Sequence, residues 1–547
     1  MRDRAAGVAA LALIALVALV MPGTAWAQVG ASEATRVANR DPNVAKEREE
    51  NEVLTHSASK VDGNWEVAYF ADDKEVALVT VDPQTGRVRE SWTGYQVAWK
   101  MARGYSGAFG HKLNAPYVFL PLCAIFLLGL VDWRRRWRVA NLDLLVLLGF
   151  GVSNFFFNRA EIGVSVPLQY IPLVYLFARA LWIGLRGGGE GIRPSWSASW
   201  LLIAALFLLG FRIGLNMADS GAIDVGYAGV VGADLLLNGS QPYGNMPTSQ
   251  GTACAGRYAN GDPIGYVQST SGRCESPVSS GDTYGPAVYV AYVPFVALLG
   301  WSGLWDDLPA AHVAACAFDL LAMAGLFVAG WRFGNPRLGT LLAFAWVANP
   351  FTLYALNMNT NDALVGALLA WFIAALSVPW LRGGLMAAAG LAKLGPLALL
   401  PLLMSLRRRV ATLAGFLLTS LLLLSMLARQ SDGLHLFWER TFHYQLNRVT
   451  PLSIWTLGAF HPGWPTLHWL QQALQVAVVL GCLLLAVLPR GRKDAVAVAA
   501  LAAAALIATQ VVSSYWFYPY ICWWLPLALF AMLVPRRAPS PQPLSPR

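Results

Sequence analysis

The stretch APYVFLPLCAIFLLGLV, residues 115–131, runs without a charge and is followed at once by Asp132, Trp133 and the arginines Arg134, Arg135 and Arg136. As a helix it crosses most of a hydrocarbon core about 30 Å thick. Arginine clusters beside apolar runs stay on the cytoplasmic side of a membrane. The end of this run is therefore expected to face the cytoplasm, with the preceding residues outside. The N-terminus agrees. Arg2 and Arg4 precede an apolar run from Ala5 to Val20, and Ala25-Trp26-Ala27 before Gln28 has the small-x-small form of a signal-peptidase site. Residues 1–27 read as a signal peptide. An uncleaved first span is the alternative, and either one exports the residues after it.

Residues 28–110 contain no run long enough to span a bilayer and read as a small exported α+β domain. Asn43 to Leu54 is helix-prone. Trp65 to Phe70 and Val76 to Val81 alternate as strands, and Asp82-Pro83-Gln84-Thr85-Gly86 supplies a turn into a return strand from Val88 to Trp92. No catalytic constellation lies in it.

Beyond residue 131 apolar runs recur to the end, near 141–157, 167–185, 198–216, 286–302, 309–331, 338–358, 363–381, 384–406, 410–428, 467–489, 494–512 and 519–534. Apolar residues make up 56% of the 547 positions and charged ones 13%, against about a quarter charged in a soluble domain. The resulting fold class is a polytopic α-helical membrane protein with about thirteen spans. Three of these helices (111–197) precede a core at 198–534, and 535–547 form a cytoplasmic tail. The net charge of +9 sits in clusters at the ends of apolar runs, including Arg407-Arg408-Arg409 and Arg536-Arg537. That is a topological signal, and it excludes a nucleic-acid partner. Two arrangements satisfy the later runs. In one, 286–302 spans and 384–406 is a single helix; in the other, 286–302 stays on the outer face and 384–406 breaks at Lys393-Leu394-Gly395-Pro396.

Counting spans puts the polar segment 217–283 outside. Cys254 and Cys274 both fall in it, where an oxidising compartment permits a disulfide. Two free thiols are the alternative. The other cysteines, Cys123, Cys316, Cys482 and Cys522, lie in apolar runs as packing residues.

Carboxylates at apolar boundaries are the informative residues, because burying one is costly unless it is paired or used. Asp219, Asp224 and Asp234 follow the 198–216 run at its outer end. Asp224 opens a stretch suited to a short helix along the membrane surface, where an N-cap role is the plainer reading. The outer segment 429–466 brings Arg440, His443 and Arg448 among Trp438, Phe442 and Tyr444. Interfacial anchoring is one reading of these residues, phosphate binding the other. Lys393 is a cation inside an otherwise uncharged run, where it must be paired or line a polar cavity. The run Tyr515 to Tyr520 offers rings for a sugar face or an aromatic belt. No nucleotide-binding glycine fingerprint and no zinc-site spacing is present.

Several of these residues carry a family resemblance. Asp224, Tyr227, the leucines before Gly239 and Pro242-Tyr243 resemble the first outer loop of GT-C glycosyltransferases, in particular the family 87 mannosyltransferases. Tyr284-Gly285-Pro286, Asn349-Pro350, Asn359 to Asp362, Ala392 to Pro396 and Arg448 to Trp455 come next, in the family's order. The run from Asn64 to Val88 resembles a PepSY-type exported domain. The GT-C resemblance implies transfer of a mannose-like sugar from a membrane-embedded polyprenyl phosphate to an acceptor at the outer face of a bacterial plasma membrane, with inversion. The acceptor is a glycan, a glycolipid or a protein. The base maps to Asp224, with Asp219 as the fallback. Arg448, Lys393, His443 and Arg440 would hold the phosphate, and Tyr227, Tyr243, Tyr515 and Tyr518 would contact sugar or acceptor. No metal is assigned, and Asp362 is given no role. The rivals are a transporter or flippase of a lipid-linked glycan, and a protein whose exported domain is the functional part.

Overall fold

The computed structural model describes residues 29–61, 63–71, 74–98, 113, 115–186, 191–192, 194–247, 256–257, 263–264, 267–268, 274–275, 281–448, 450–461, 463–488 and 493–535. The signal-peptide segment, Cys254 with its pairing to Cys274, and the tail after Pro535 lie outside the described residues. The chain divides into two units, Met1–Ala98 and Trp99–Arg547.

In the first unit, α1 (Ala31–Ala38) and α2 (Pro42–Glu50) precede β1 (Thr55–Val61), β2 (Asn64–Ala71), β3 (Lys74–Val81) and β4 (Val88–Thr93), an antiparallel sheet in sequence order. Asp41 caps α2 by accepting the Asn43 N–H, and Pro42 occupies the first turn, where its missing N–H costs nothing. The period of two divides the sheet. Val67, Tyr69, Ala77, Val79 and Val81 pack against Ala34, Ala38 and Val44 of the helices, while Ala68 and Leu78 face Val97. The turn after β3 closes as its composition predicts: Asp82 Oδ1 accepts the N–H groups of Gln84 and Thr85, and Gly86 takes φ +66°. Strand β1 has no apolar alternation in sequence. It is a largely exposed edge strand formed by backbone pairing with β2.

In the second unit, five helices among the described residues are long and apolar enough to cross a membrane: Val139–Phe157, Ile162–Arg186, Ala198–Ala218, Pro309–Phe333 and Arg409–Arg429. A sixth crossing exists if the bent pair Pro336–Ala348 and Pro350–Asn357 counts as one. Other apolar runs form shorter helices, several of them opening on a proline or containing one, because an internal proline removes a backbone donor.

The elements around the site are α3 (Ala198–Ala218), α4 (Asp224–Leu237), α5 (Pro286–Leu299), α6 (Pro309–Phe333), α7 (Pro336–Ala348), α8 (Pro350–Asn357), α9 (Asp362–Ala374), α10 (Pro379–Ala392), α11 (Ala495–Val511) and α12 (Ile521–Leu533). One expectation about them changes, and one choice left open by the sequence falls to the broken form. Helix α4 does not read as a surface helix, since Gly226 through Ala233 are all buried. It packs deep because its small residues admit neighbours: a Cβ at Gly232 would lie 2.1 Å from the Tyr289 ring. The run 384–406 is not a single helix. Helix α10 ends at Ala392, Lys393 is extended, and the chain resumes as a 3-10 turn at Gly395–Leu399.

Candidate active site

Two stretches far apart in sequence are stitched together by their main chains. The Gly221 N–H donates to the Asn357 carbonyl and the Ile223 N–H to the Met358 carbonyl (3.2 Å). Asn359 takes φ +50°, a conformation Asn tolerates better than most residues. Its side chain is fixed by the Asn216 amide (2.8 Å) and by Ser220 (3.0 Å). This stitching brings the first residues of α4 and α9, Asp224 and Asp362, to one cavity of about 240 Å³. Each carboxylate sits in the first turn of its helix, where the helix dipole favours negative charge. The N-cap of α4 is Ile223, and Asp224 stands at the first helical position.

Lys393 enters from the break after α10. Its Nζ lies 3.7 Å from Asp362 Oδ1, and that oxygen also accepts the Trp523 indole N–H at 2.7 Å. The same ammonium stands 4.4 Å from the Tyr284 ring centre and 5.9 Å from those of Tyr520 and Trp523, a partial cation–π cage. Tyr284 comes this close because Gly285 lets two backbones touch. The Gly285 N–H donates to the Ala392 carbonyl, and a Cβ at 285 would lie 1.9 Å from the Leu391 carbonyl oxygen.

Arg448 follows the segment 433–447 and lies on aromatic faces, its Cζ 3.8 Å from the Tyr515 ring centre and 5.8 Å from that of Tyr444. Gln510 organises the aromatic wall. Its Oε1 accepts the indole N–H groups of Trp516 and Trp524, both at 3.0 Å, and its amide donates to the Tyr520 carbonyl. Thr283, Thr360, Thr441, Gln445, Ser513 and Phe517 complete the polar and aromatic lining. Burial raises the pKa of Asp224 above the ordinary carboxylate range, against the opposing charges of Arg448 and Lys393. A carboxylate so placed is a stronger base than an exposed one.

Of the residues expected from sequence, Asp224, Lys393, Arg448 and Tyr515 line this cavity. The others stand elsewhere. Asp219 ends α3, and its carbonyl accepts the Asn357 amide. Arg440 pairs with the buried Asp282 at 3.6 Å, and His443, largely exposed, with Glu439 at 3.1 Å. Tyr227 packs on Trp301 and Trp305. Tyr243 donates its hydroxyl to the Tyr284 carbonyl and fills a cluster with Tyr289 and Phe437. Tyr518 is buried, with its hydroxyl on Ser153 and Ser165. None of these three tyrosines lines the cavity. Tyr520, from the ring run 515–520, does line it; Asp362 and Tyr284 were named in sequence without a site role, and Gln510 and Trp523 were missed. Gln510 did carry a signal, being a lone amide late in the apolar run 495–512.

Two carboxylates, two cations and a ring wall gather in one cavity among apolar helices, the constellation of a candidate enzyme site. Residues 283–514 match the model of glycosyltransferase family 87, and the protein is a glycosyltransferase. The matched segment contains Tyr284, Asp362, Lys393, Arg448 and Gln510; Asp224 and the rings from Tyr515 to Trp523 lie outside it. No curated protein and no solved structure matches the chain. The family match decides for an enzyme over a lipid-linked glycan transporter.

Proposed function

We propose that the cavity transfers a mannose-like sugar from a polyprenyl-phosphate carrier to an acceptor hydroxyl, with inversion. Asp224 takes the proton of the acceptor hydroxyl as its oxygen attacks the anomeric carbon. The bond from that carbon to the phosphate oxygen breaks, and polyprenyl phosphate leaves carrying the negative charge. Lys393 and Arg448 receive that charge. Asp362 and Trp523 hold Lys393 in place, and the rings of Tyr284, Tyr515 and Tyr520 border the sugar.

One observation carries this reading: a buried carboxylate with a raised pKa shares a cavity of sugar size with two cations. In the same reading the chain crosses a bacterial plasma membrane about thirteen times. The cavity, the PepSY-like domain behind its signal peptide, and a Cys254–Cys274 disulfide all face away from the cytoplasm. The test is Asp224→Asn, assayed for transfer from polyprenyl-phosphate sugars in membranes. Loss of transfer by about a thousandfold is expected. Full activity in a well-folded variant overturns the assignment.

A further inference from the structure

A proline at a bend leaves backbone carbonyls without donors, and inside a membrane each must be satisfied by the protein. Helices α7 and α8 meet at Asn349-Pro350 with an angle of 57°. Pro350 has no N–H to give the Trp346 carbonyl, which accepts the Thr352 hydroxyl instead at 2.7 Å. The Phe351 N–H, which a continuous helix would direct to the Val347 carbonyl, donates to Asn349 Oδ1 at 2.9 Å. The Val347 carbonyl is taken by a side chain from another helix, Arg212 Nη1 of α3, at 3.0 Å.

Arg212 is wholly buried and uses its guanidinium as a two-sided fork. One side reaches the bend, with Nη1 also 3.0 Å from Thr352 Oγ1. The other side meets Asp319 of α6, with Nε 3.1 Å from Oδ2 and Nη2 2.5 Å from Oδ1. Asp319 Oδ1 in turn accepts the Trp346 indole N–H at 2.8 Å, so the carboxylate grips α7 just before the bend. One turn along α3, Asn216 donates to the Leu356 carbonyl at 2.8 Å, at the far end of α8. From there the chain passes directly into the main-chain stitching of 357–358 to 221–223 that sets Asp224 and Asp362.

We propose that Arg212 and Asp319 are a clamp that holds the α7–α8 bend, and are thereby positioning residues for the two carboxylates of the site. Neither residue lines the cavity. Stability alone is a poor explanation for such a pair, because a buried ion pair replaced by apolar residues of similar volume is often no less stable. What apolar residues cannot supply is the donor to the Val347 carbonyl.

The test uses the full chain in nanodiscs, comparing the double variant Arg212→Met/Asp319→Leu with Arg212→Lys. Lysine keeps the charge and loses the fork. Folded yield of the double variant is expected to stay near the wild-type value, with a modest fall in thermal midpoint from the Val347 carbonyl and Trp346 N–H left without partners. The angle at Asn349-Pro350, measured from a structure of the variant, is expected to change, and kcat for sugar transfer to fall about a hundredfold, with the donor KM within about twofold. Arg212→Lys is expected to lose kcat in the same way, and it carries the test if the double variant does not fold. An unchanged angle with kcat near wild type in either variant overturns the clamp. The activity arm rests on the glycosyl-transfer reading. If the wild-type chain transfers no sugar, that reading fails, while the bend angle still decides the clamp.

Discussion

The two walls of the cavity are built differently. On one side, Asp224 and Asp362 stand on helix N-termini whose approaches are bonded main chain to main chain and backed by Asn216, Ser220 and Asn359, all buried or half-buried. On the other, Arg448 closes a segment with a π-helical stretch at Trp438–His443. Its polar ties run from the half-exposed Arg440 to the buried Asp282 and between the largely exposed His443 and the half-exposed Glu439. The proposed mechanism accounts for the contrast. A base must be held to a fraction of an ångström, whereas a cation that meets a lipid phosphate acts over a longer range and must let substrate in and product out.

The largest effect is expected on the rigid wall, where Asp224→Asn lowers kcat about a thousandfold with little change in thermal stability. On the cation side, Lys393→Met and Arg448→Met are each expected to cost about a hundredfold in kcat/KM. The Arg448 variant should show the greater share in donor KM, and steady-state kinetics at varied donor concentration separates the two. Equal effects in kcat and KM for both would remove the distinction between the two cations.

Gly285→Ala tests the seam that brings Tyr284 to Lys393. A Cβ 1.9 Å from the Leu391 carbonyl oxygen has no room, and a loss of about 2 kcal/mol is expected, read as a lowered thermal midpoint. The pH profile sharpens the base assignment. Burial raises the Asp224 pKa, so the acid limb of kcat/KM should lie above the usual carboxylate range near 4, with activity falling as pH drops through the raised value. The same shift means that Asp224 lowers stability as pH rises from its unfolded to its folded pKa. Asp224→Asn should therefore be no less stable than wild type at neutral pH. The smallest effect is expected from Arg440→Ala, under about 1 kcal/mol in stability, because Arg440 is half-exposed at 3.6 Å and the buried Asp282 keeps the Gly244 N–H.

Much of this was legible locally. Apolar run length and arginine placement give the membrane class without any contact being known. The strands of the first unit are set by alternation and by the Asp82–Gly86 turn. The break at Lys393 is marked by a cation and a Gly-Pro pair inside an apolar run. Where sequence reasoning failed, the deciding contacts were distant ones. Tyr227, Tyr243 and Tyr518 have the same composition cues as Tyr515, yet they face Trp305, Phe437 and Ser153 while Tyr515 faces Arg448. Nothing near Asp362 in the chain foretells that Trp523 and Lys393 will meet its oxygen.

Hydropathy and turn chemistry are properties of a few neighbouring residues, and so the sequence alone determined which segments are apolar helices, where proline and glycine interrupt them, and that a carboxylate comes after the run ending at residue 216. Only the tertiary structure decided which carboxylates, cations and rings share a cavity. That choice depends on main-chain bonds between segments more than a hundred residues apart, and on a bend whose carbonyls are satisfied from another helix.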